Sequence, residues 1–353
     1  MNIKKCTYAV LAAAVLSAVT GCTKTENVQN YDTDSMAVKK SPESVTFNWQ
    51  KPYEDKLNEF KSSEECCESS MFELIDLTND GTPELIISPS NDVTSQCSIY
   101  TLINNTADKL SDCGSSGEID FIPSQTAIGY QYEAESFTVG EYQIFKDGTF
   151  NTVAEFFNNV GSASSGGVIR YELNGNNVTL RDYETAIEPY RDSPSIKAGR
   201  KFTFGDESIN YAIHYSESWN SVMTGAQKNE FKTSLLAVLD NMLNPGYAFE
   251  LVDLDVNGLP EVVVSTGELN DSPTRVFYLD SEGIKDLEIS SDPEGGIHFD
   301  IKNKIFYAAD PDGQIQYWSL TGSDISSFEP SESTMSCGRK YELTQENIEL
   351  IFT

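Results

Sequence analysis

The sequence predicts an α+β fold, mostly antiparallel β, built from two homologous modules that each set an N-terminal helix against a β-meander. Two observations carry that prediction. The chain repeats its own motifs in the same order. After each helical stretch come short apolar or aromatic runs joined by Asp-Gly, Asn-Gly or other glycine-bearing turns.

The repeat is read from five echoes. "NEFKSS" (58–63) returns as "NEFKTS" (229–234), and "FELIDLTNDGTPELIIS" (72–88) returns as "FELVDLDVNGLPEVVVS" (249–265). "SIYTL" (98–102) answers to "RVFYL" (275–279), "EIDFI" (118–122) to "GIHFDI" (296–301), and "RYELNGNNVTL" (170–180) to "KYELTQENIEL" (340–350). The modules then run over 46–215 and 216–353, with "IEPYRDSPSIKAGRKFTFGDES" (187–208) as the connecting region. An irregular β-propeller is the alternative arrangement, although propeller blades recur at shorter intervals.

Each module opens with a helix. Tyr53, Leu57 and Phe60 share one face in the first, and Phe231, Leu235, Val238 and Met242 in the second. "NPG" at 244–246 ends the second helix, since proline cannot continue the ladder and glycine accepts a left-handed cap. Hairpins are expected in "EYQIFKDGTF", "RYELNGNNVTL", "RVFYLDSEGI" and "AADPDGQIQYW". Trp49, Trp219 and Trp318 belong to what such sheets bury or half-bury.

The N-terminus reads as an export signal over 1–21. Lys4 and Lys5 precede a 14-residue apolar run, Cys6 to Val19, which is too short to span a bilayer. The run ends in "VTGC" (19–22), which resembles the lipobox of bacterial lipoproteins. That resemblance implies cleavage before Cys22, acylation of Cys22 by a palmitate-type chain, and a membrane anchor on the outer face of the cell envelope. Residues 22–45 are polar and aperiodic, a flexible tether. Acids outnumber Lys plus Arg by 55 to 24, a surface that repels phosphate backbones and excludes nucleic acid as a partner.

Seven cysteines are present. With Cys6 lost and Cys22 acylated, Cys66, Cys67, Cys97, Cys113 and Cys337 remain, so one or two disulfides are expected outside the cytoplasm, most simply within 66–113. Their connectivity is not legible. Adjacent Cys66 and Cys67 are poorly placed to bond each other.

The chemistry-bearing motif is "DLDVNGLPE" (253–261). Asp253, Asp255 and Asn257 stand at loop positions one, three and five, Gly258 at six, the Leu259 carbonyl at seven and Glu261 at nine. Alternate residues of a tight loop turn oxygens toward one centre, and calcium takes six to eight such hard ligands. The first module offers Asp76, Thr78, Asp80, the Thr82 carbonyl and Glu84, with Thr78 in place of an acid. A tight Asx-turn without metal is the alternative for both loops.

The start of the loop resembles an EF-hand, but Val264 stands where the bidentate glutamate belongs and a strand follows. The closer likeness is to the calcium loops of FG-GAP and VCBS repeats, in which a proline precedes the ninth-position acid, as Pro260 precedes Glu261. The F-x-L-x-D-x-x-x-x-G-x-P-E pattern behind a helix also resembles poorly characterised lipoproteins of gut and rumen Firmicutes. The likeness implies structural Ca²⁺.

No reaction is legible. The sequence lacks a Walker loop, HExxH, a dinucleotide fingerprint and G-x-S-x-G, and "GSASSGG" (161–167) reads as a loop. His214 and His298 lie in strand-like stretches and read as turn or half-buried sheet histidines. The expectation is a lipid-anchored surface protein without enzymatic activity, a binding or display module for a surface glycan or protein. The alternative is an exported carbohydrate-active enzyme or glycan-binding protein.

Overall fold

The computed structural model describes residues 49–159, 170–215, 225, 229, 232, 233, 236, 239, 243–256, 260–265, 274–280, 283–289, 297–309, 314–319, 328–338 and 340–350. Strand makes up 48% of the described residues, in three antiparallel sheets with few helices, an α+β fold that is mostly β.

Helix α1 (Gln50–Lys61) buries Tyr53 and Leu57 completely and sets Phe60 against Phe204, the face expected from its spacing. Four strands follow in a meander: β1 (Met71–Ile75), β2 (Glu84–Ser88), β3 (Cys97–Ile103) and β4 (Thr106–Cys113). The chain then builds β5 (Ile119–Ile122), β6 (Ala127–Ala134), β7 (Phe137–Lys146), β8 (Thr149–Asn159), β9 (Arg170–Leu173) and β10 (Asn176–Asn177). Helix α2 (Leu180–Arg191), capped by the Thr179 hydroxyl, carries it back. There β11 (Ile196–Ala198) pairs with β5, and β12 (Phe202–Thr203) pairs with β1. Helix α3 (Asp206–His214) closes this half.

The second half repeats the wiring. Strands β13 (Asn244–Val252), β14 (Glu261–Ser265), β15 (Thr274–Asp280) and β16 (Gly283–Ile289) form the meander. They are followed by β17 (Ile297–Asp300), β18 (Ile305–Ala309) and β19 (Ile315–Ser319). Then β20 (Thr334–Cys337) pairs with β17 and β21 (Tyr341–Leu343) with β13, before helix α4 (Gln345–Leu350).

The halves are stitched where each of them passes from one sheet to the next. Phe202 of β12 pairs with Met335 of β20, which fuses strands of both halves into a nine-stranded sheet, β19-β18-β17-β20-β12-β1-β2-β3-β4. Reciprocally, the Lys197 N–H donates to the Lys340 carbonyl at 3.4 Å, drawing the seven-stranded sheet (β10-β9-β8-β7-β6-β5-β11) to the five-stranded one (β16-β15-β14-β13-β21). The passage lies at Gly-Arg-Lys, which occurs at 199–201 and again at 338–340. Gly199 and Gly338 take φ of +113° and +83°, where side chains are strained. The main core draws on both halves, with Tyr53, Phe72, Leu85 and Phe202 against Val252, Val263, Phe299 and Met335.

Several expectations change. The fifth echo aligns differently in space: β21 and α4 occupy the place of β12 and α3, so 340–350 corresponds to 201–211, while β9 lies near the outer edge of the seven-stranded sheet. The connecting region over 187–208 is packed into the fold, with Ile187, Ile196, Ala198 and Phe202 buried. A propeller is ruled out by three long open sheets in place of repeated blades. His214 ends a helix and not a strand: Asp206 and Glu207 in the first turn favour helix, and the alternating aromatics mask that signal. His298 is a half-buried sheet residue stacked on Tyr307 at 5.2 Å.

The four hairpins form as expected, with Asp147-Gly148 and Asn174-Gly175 all at positive φ. Trp49 and Trp318 are half-buried against the main core. Asn244 already belongs to β13, so the second helix ends before "NPG". Its expected apolar face, Phe231, Leu235, Val238 and Met242, lies outside the described residues, as do Trp219 and 161–167. Leu239 of that helix is fully buried.

Candidate metal centre

The loop between β13 and β14 is held at its base by the Val252–Glu261 register pair. Strand alternation turns Glu261 inward, where the Leu254 N–H donates to its Oε2 at 2.6 Å. Asp253 is fully buried and Glu261 nearly so, while Asp255 is exposed at the mouth. Carboxylate oxygens of Asp253, Asp255 and Glu261 all lie within 4.8 Å of one another. Among the described residues this is the one acidic group so arranged. Asn257, Gly258 and Leu259, the other expected ligands and the bend, lie outside the described residues.

The electrostatics follow from that crowding. Burial, reinforced by the charges of Asp255 and Asp253, pushes the Glu261 carboxyl up to about 8, against the pull of the Leu254 N–H. Three acids this close call for a cation or a proton. The donor set is all hard oxygen, which suits Ca²⁺ or Mg²⁺ and disfavours softer metals.

Two residues that the sequence alone does not mark complete the surroundings. The Tyr211 hydroxyl, from α3 of the first half, donates to the Asp253 carbonyl at 2.5 Å. Lys304 donates to the Leu254 carbonyl at 3.0 Å, and its half-buried ammonium faces Asp255, Asp253 and Glu261. Burial lowers the Lys304 pKa and those three acids raise it. Neither residue carries a local signal, since both reach the loop through tertiary packing. Val256 sits at φ +63°, a conformation costly for a β-branched residue.

The first-half loop is built on the same frame but used differently. Glu84 Oε2 accepts from the N–H groups of Leu77 (2.8 Å) and Thr78 (3.2 Å), and Oε1 from the Thr101 hydroxyl (3.1 Å). Asp76 accepts from the N–H groups of Asp80 (3.2 Å) and Gly81 (2.8 Å), and Asp80 from the N–H of Thr82 (2.8 Å). Asp76, Asp80 and Glu84 are not gathered in the way that Asp253, Asp255 and Glu261 are. Thr78 stands in the place of Asp255, and Asp80 in the place of Asn257, so each loop carries three carboxylates at different positions. The Asp76 and Asp80 side chains bond to N–H groups of their own loop, in the manner of an Asx-turn. Asn79, at φ 58°, fills the position of Val256 without its strain.

Cys22 lies outside the described residues. No helix among the described residues is long and apolar enough to cross a membrane. Comparison with protein-family models, with curated proteins and with solved structures returns no match to this chain.

Proposed function

We propose that this chain is a lipid-anchored, extracytoplasmic surface protein whose 253–261 loop binds Ca²⁺ as a structural staple, and that it works as a non-enzymatic binding or display module. The observation that carries the metal is the convergence of Asp253, Asp255 and Glu261 within 4.8 Å, two of them buried. The anchor rests on the basic start, the short apolar run and "VTGC" ending in Cys22. A net charge of −31 keeps such a surface soluble and attracts divalent cations. The partner is a surface glycan or protein, with the membrane reached only through the Cys22 lipid.

Bound calcium would link the end of β13 to the start of β14, holding a loop that α3 and Lys304 already touch. An extracellular-module affinity of about 0.1–1 mM is expected. With a Kd of ~0.3 mM, ~10 mM Ca²⁺ adds about 2 kcal/mol to stability by mass action. The test is thermal unfolding in EDTA and in ~10 mM Ca²⁺, for the wild type and for Asp255→Asn, whose exposed side chain can be changed without disturbing the core. The wild type should melt several degrees higher with calcium and the variant should respond much less. Identical wild-type melting in both buffers would remove the metal. Intact-mass analysis of the membrane-bound form should find an acyl chain on an N-terminal Cys22, and an unmodified N-terminus would remove the anchor.

A further inference from the structure

We infer that Cys97 and Cys113 are joined by a disulfide in the oxidised protein, a cross-strand bridge locking β3 to β4. The two residues are direct partners in the antiparallel ladder. Opposed residues in such a ladder have Cα atoms about 4.5 or 5.5 Å apart, according to whether the pair is hydrogen-bonded. Both spacings fall inside the roughly 4.4–6.8 Å that a disulfide spans. Opposed residues also send their side chains to the same face, so the sulfurs start on one side of the sheet.

The remaining cysteines are not placed this way. Cys337 faces Ile297 across its own ladder. Cys66 and Cys67 lie between α1 and β1, Cys66 half-buried against the main core and Cys67 exposed. The ladder thus selects one pair among the five cysteines that follow Cys22.

The surroundings define the kind of disulfide. Both sulfurs belong to the second core, with Leu77, Ile86, Ile99, Ile119, Ile128 and Ala198, and both residues are fully buried. Gly199 closes over Cys97, and a Cβ there would come within 2.9 Å of Cys97 Sγ. Burial drives both thiols far above their ordinary range, so in the folded chain neither supplies the thiolate that attacks an external disulfide. The bond therefore forms while the sheet assembles and is then sealed, as a structural closure and not a redox switch.

The chemistry balances with one external small-molecule disulfide such as oxidised glutathione. The thiolate of one cysteine attacks it, releasing one glutathione thiolate and leaving a mixed disulfide. The second cysteine's thiolate then attacks the protein sulfur of that mixed disulfide and releases the other. Two protein thiols are oxidised, one disulfide is reduced to two thiols, and the protons pass between the leaving and attacking groups through water.

The inference depends neither on the metal nor on the lipid. The test refolds the full reduced chain in a glutathione redox buffer, alkylates remaining thiols in denaturant, and digests with trypsin and a glutamyl endopeptidase. Cleavage after Glu84, Lys109 and Glu118 isolates Cys97 in 85–109 and Cys113 in 110–118. The expected product is those two peptides joined, two hydrogens lighter than their sum, separating on reduction and missing from the Cys113→Ala chain. Recovery of Cys97 and Cys113 as alkylated thiols, or of Cys97 joined to the peptide bearing Cys66 and Cys67, would overturn the assignment.

Discussion

Lys201 and Glu250 form a buried ion pair between the two halves of the chain, Nζ to Oε1 at 2.5 Å, with side chains 10% and 5% exposed. Its mirror is Lys340 to Glu73 at 2.9 Å. Each glutamate also accepts the N–H of a switch glycine, Gly338 on Glu250 and Gly199 on Glu73, each within its own half. The lysine of each half thus reaches the glutamate of the other, at the points where the strands change sheet.

Removing one partner of such a pair leaves the other charge buried and uncompensated. Glu250→Gln is expected to cost about 3 kcal/mol. Replacing both, Lys201→Met with Glu250→Leu, should cost less than the two single changes summed, because no charge is stranded. Urea unfolding of the four chains gives the coupling energy directly, and additivity of the single changes would show that the pair is not coupled.

The switch glycines are the next most sensitive positions. A Cβ at Gly338 would lie 2.8 Å from Val263 Cγ1 and 2.9 Å from Ser265 Oγ, on a backbone already at φ +83°. Gly338→Ala should therefore destabilise by about 2 kcal/mol or more. A change at the open turn glycine Gly148, where nothing lies within 4 Å, carries only the φ cost. Comparing the unfolding midpoints of Gly338→Ala and Gly148→Ala separates packing from conformation.

Val256 holds a left-handed conformation that its counterpart Asn79 tolerates. Val256→Asn should raise stability by about 1 kcal/mol in calcium-free buffer. The residue is exposed, so little packing is lost with the change. Chemical denaturation in EDTA measures it, and no gain would mean that the loop relaxes around valine at no cost.

Lys304 sets a tethered positive charge beside the acidic group. Lys304→Met should tighten Ca²⁺ binding several-fold, about 1 kcal/mol at a surface-like dielectric. Calorimetric titration of both chains reads this. Weaker binding in the variant would show that Lys304 organises the loop more than it repels the ion.

Glu84 provides a pH test in the loop that does not gather its acids. Burial raises its carboxyl to about 7 from an ordinary 4.5. The folded state therefore holds the proton more tightly than the unfolded state. This contribution is fully present below about pH 4.5 and is lost as pH rises through about 7, on the order of 3 kcal/mol in all. The stability of wild type relative to Glu84→Gln should accordingly fall between pH 5 and 8, and a flat difference would show that Glu84 ionises normally.

The amino-acid sequence by itself determines much of this architecture. Its repeat places β1 to β3 and β5 on β13 to β15 and β17, because burial on both halves demands the same apolar runs. Turn dipeptides locate the hairpins, since few residue pairs accept two successive positive φ angles. The ordering of acids around Asp253 marks the candidate site, because ligand spacing in one loop is a local property. Local information does not say which loop gathers its carboxylates, for each loop carries three while Lys304 and Tyr211 arrive from afar. Nor does it reveal that each Gly-Arg-Lys turn hands its lysine to the other half. Strand pairing, register and ion partnership between distant segments depend on how whole faces bury together, and only the tertiary structure fixes that.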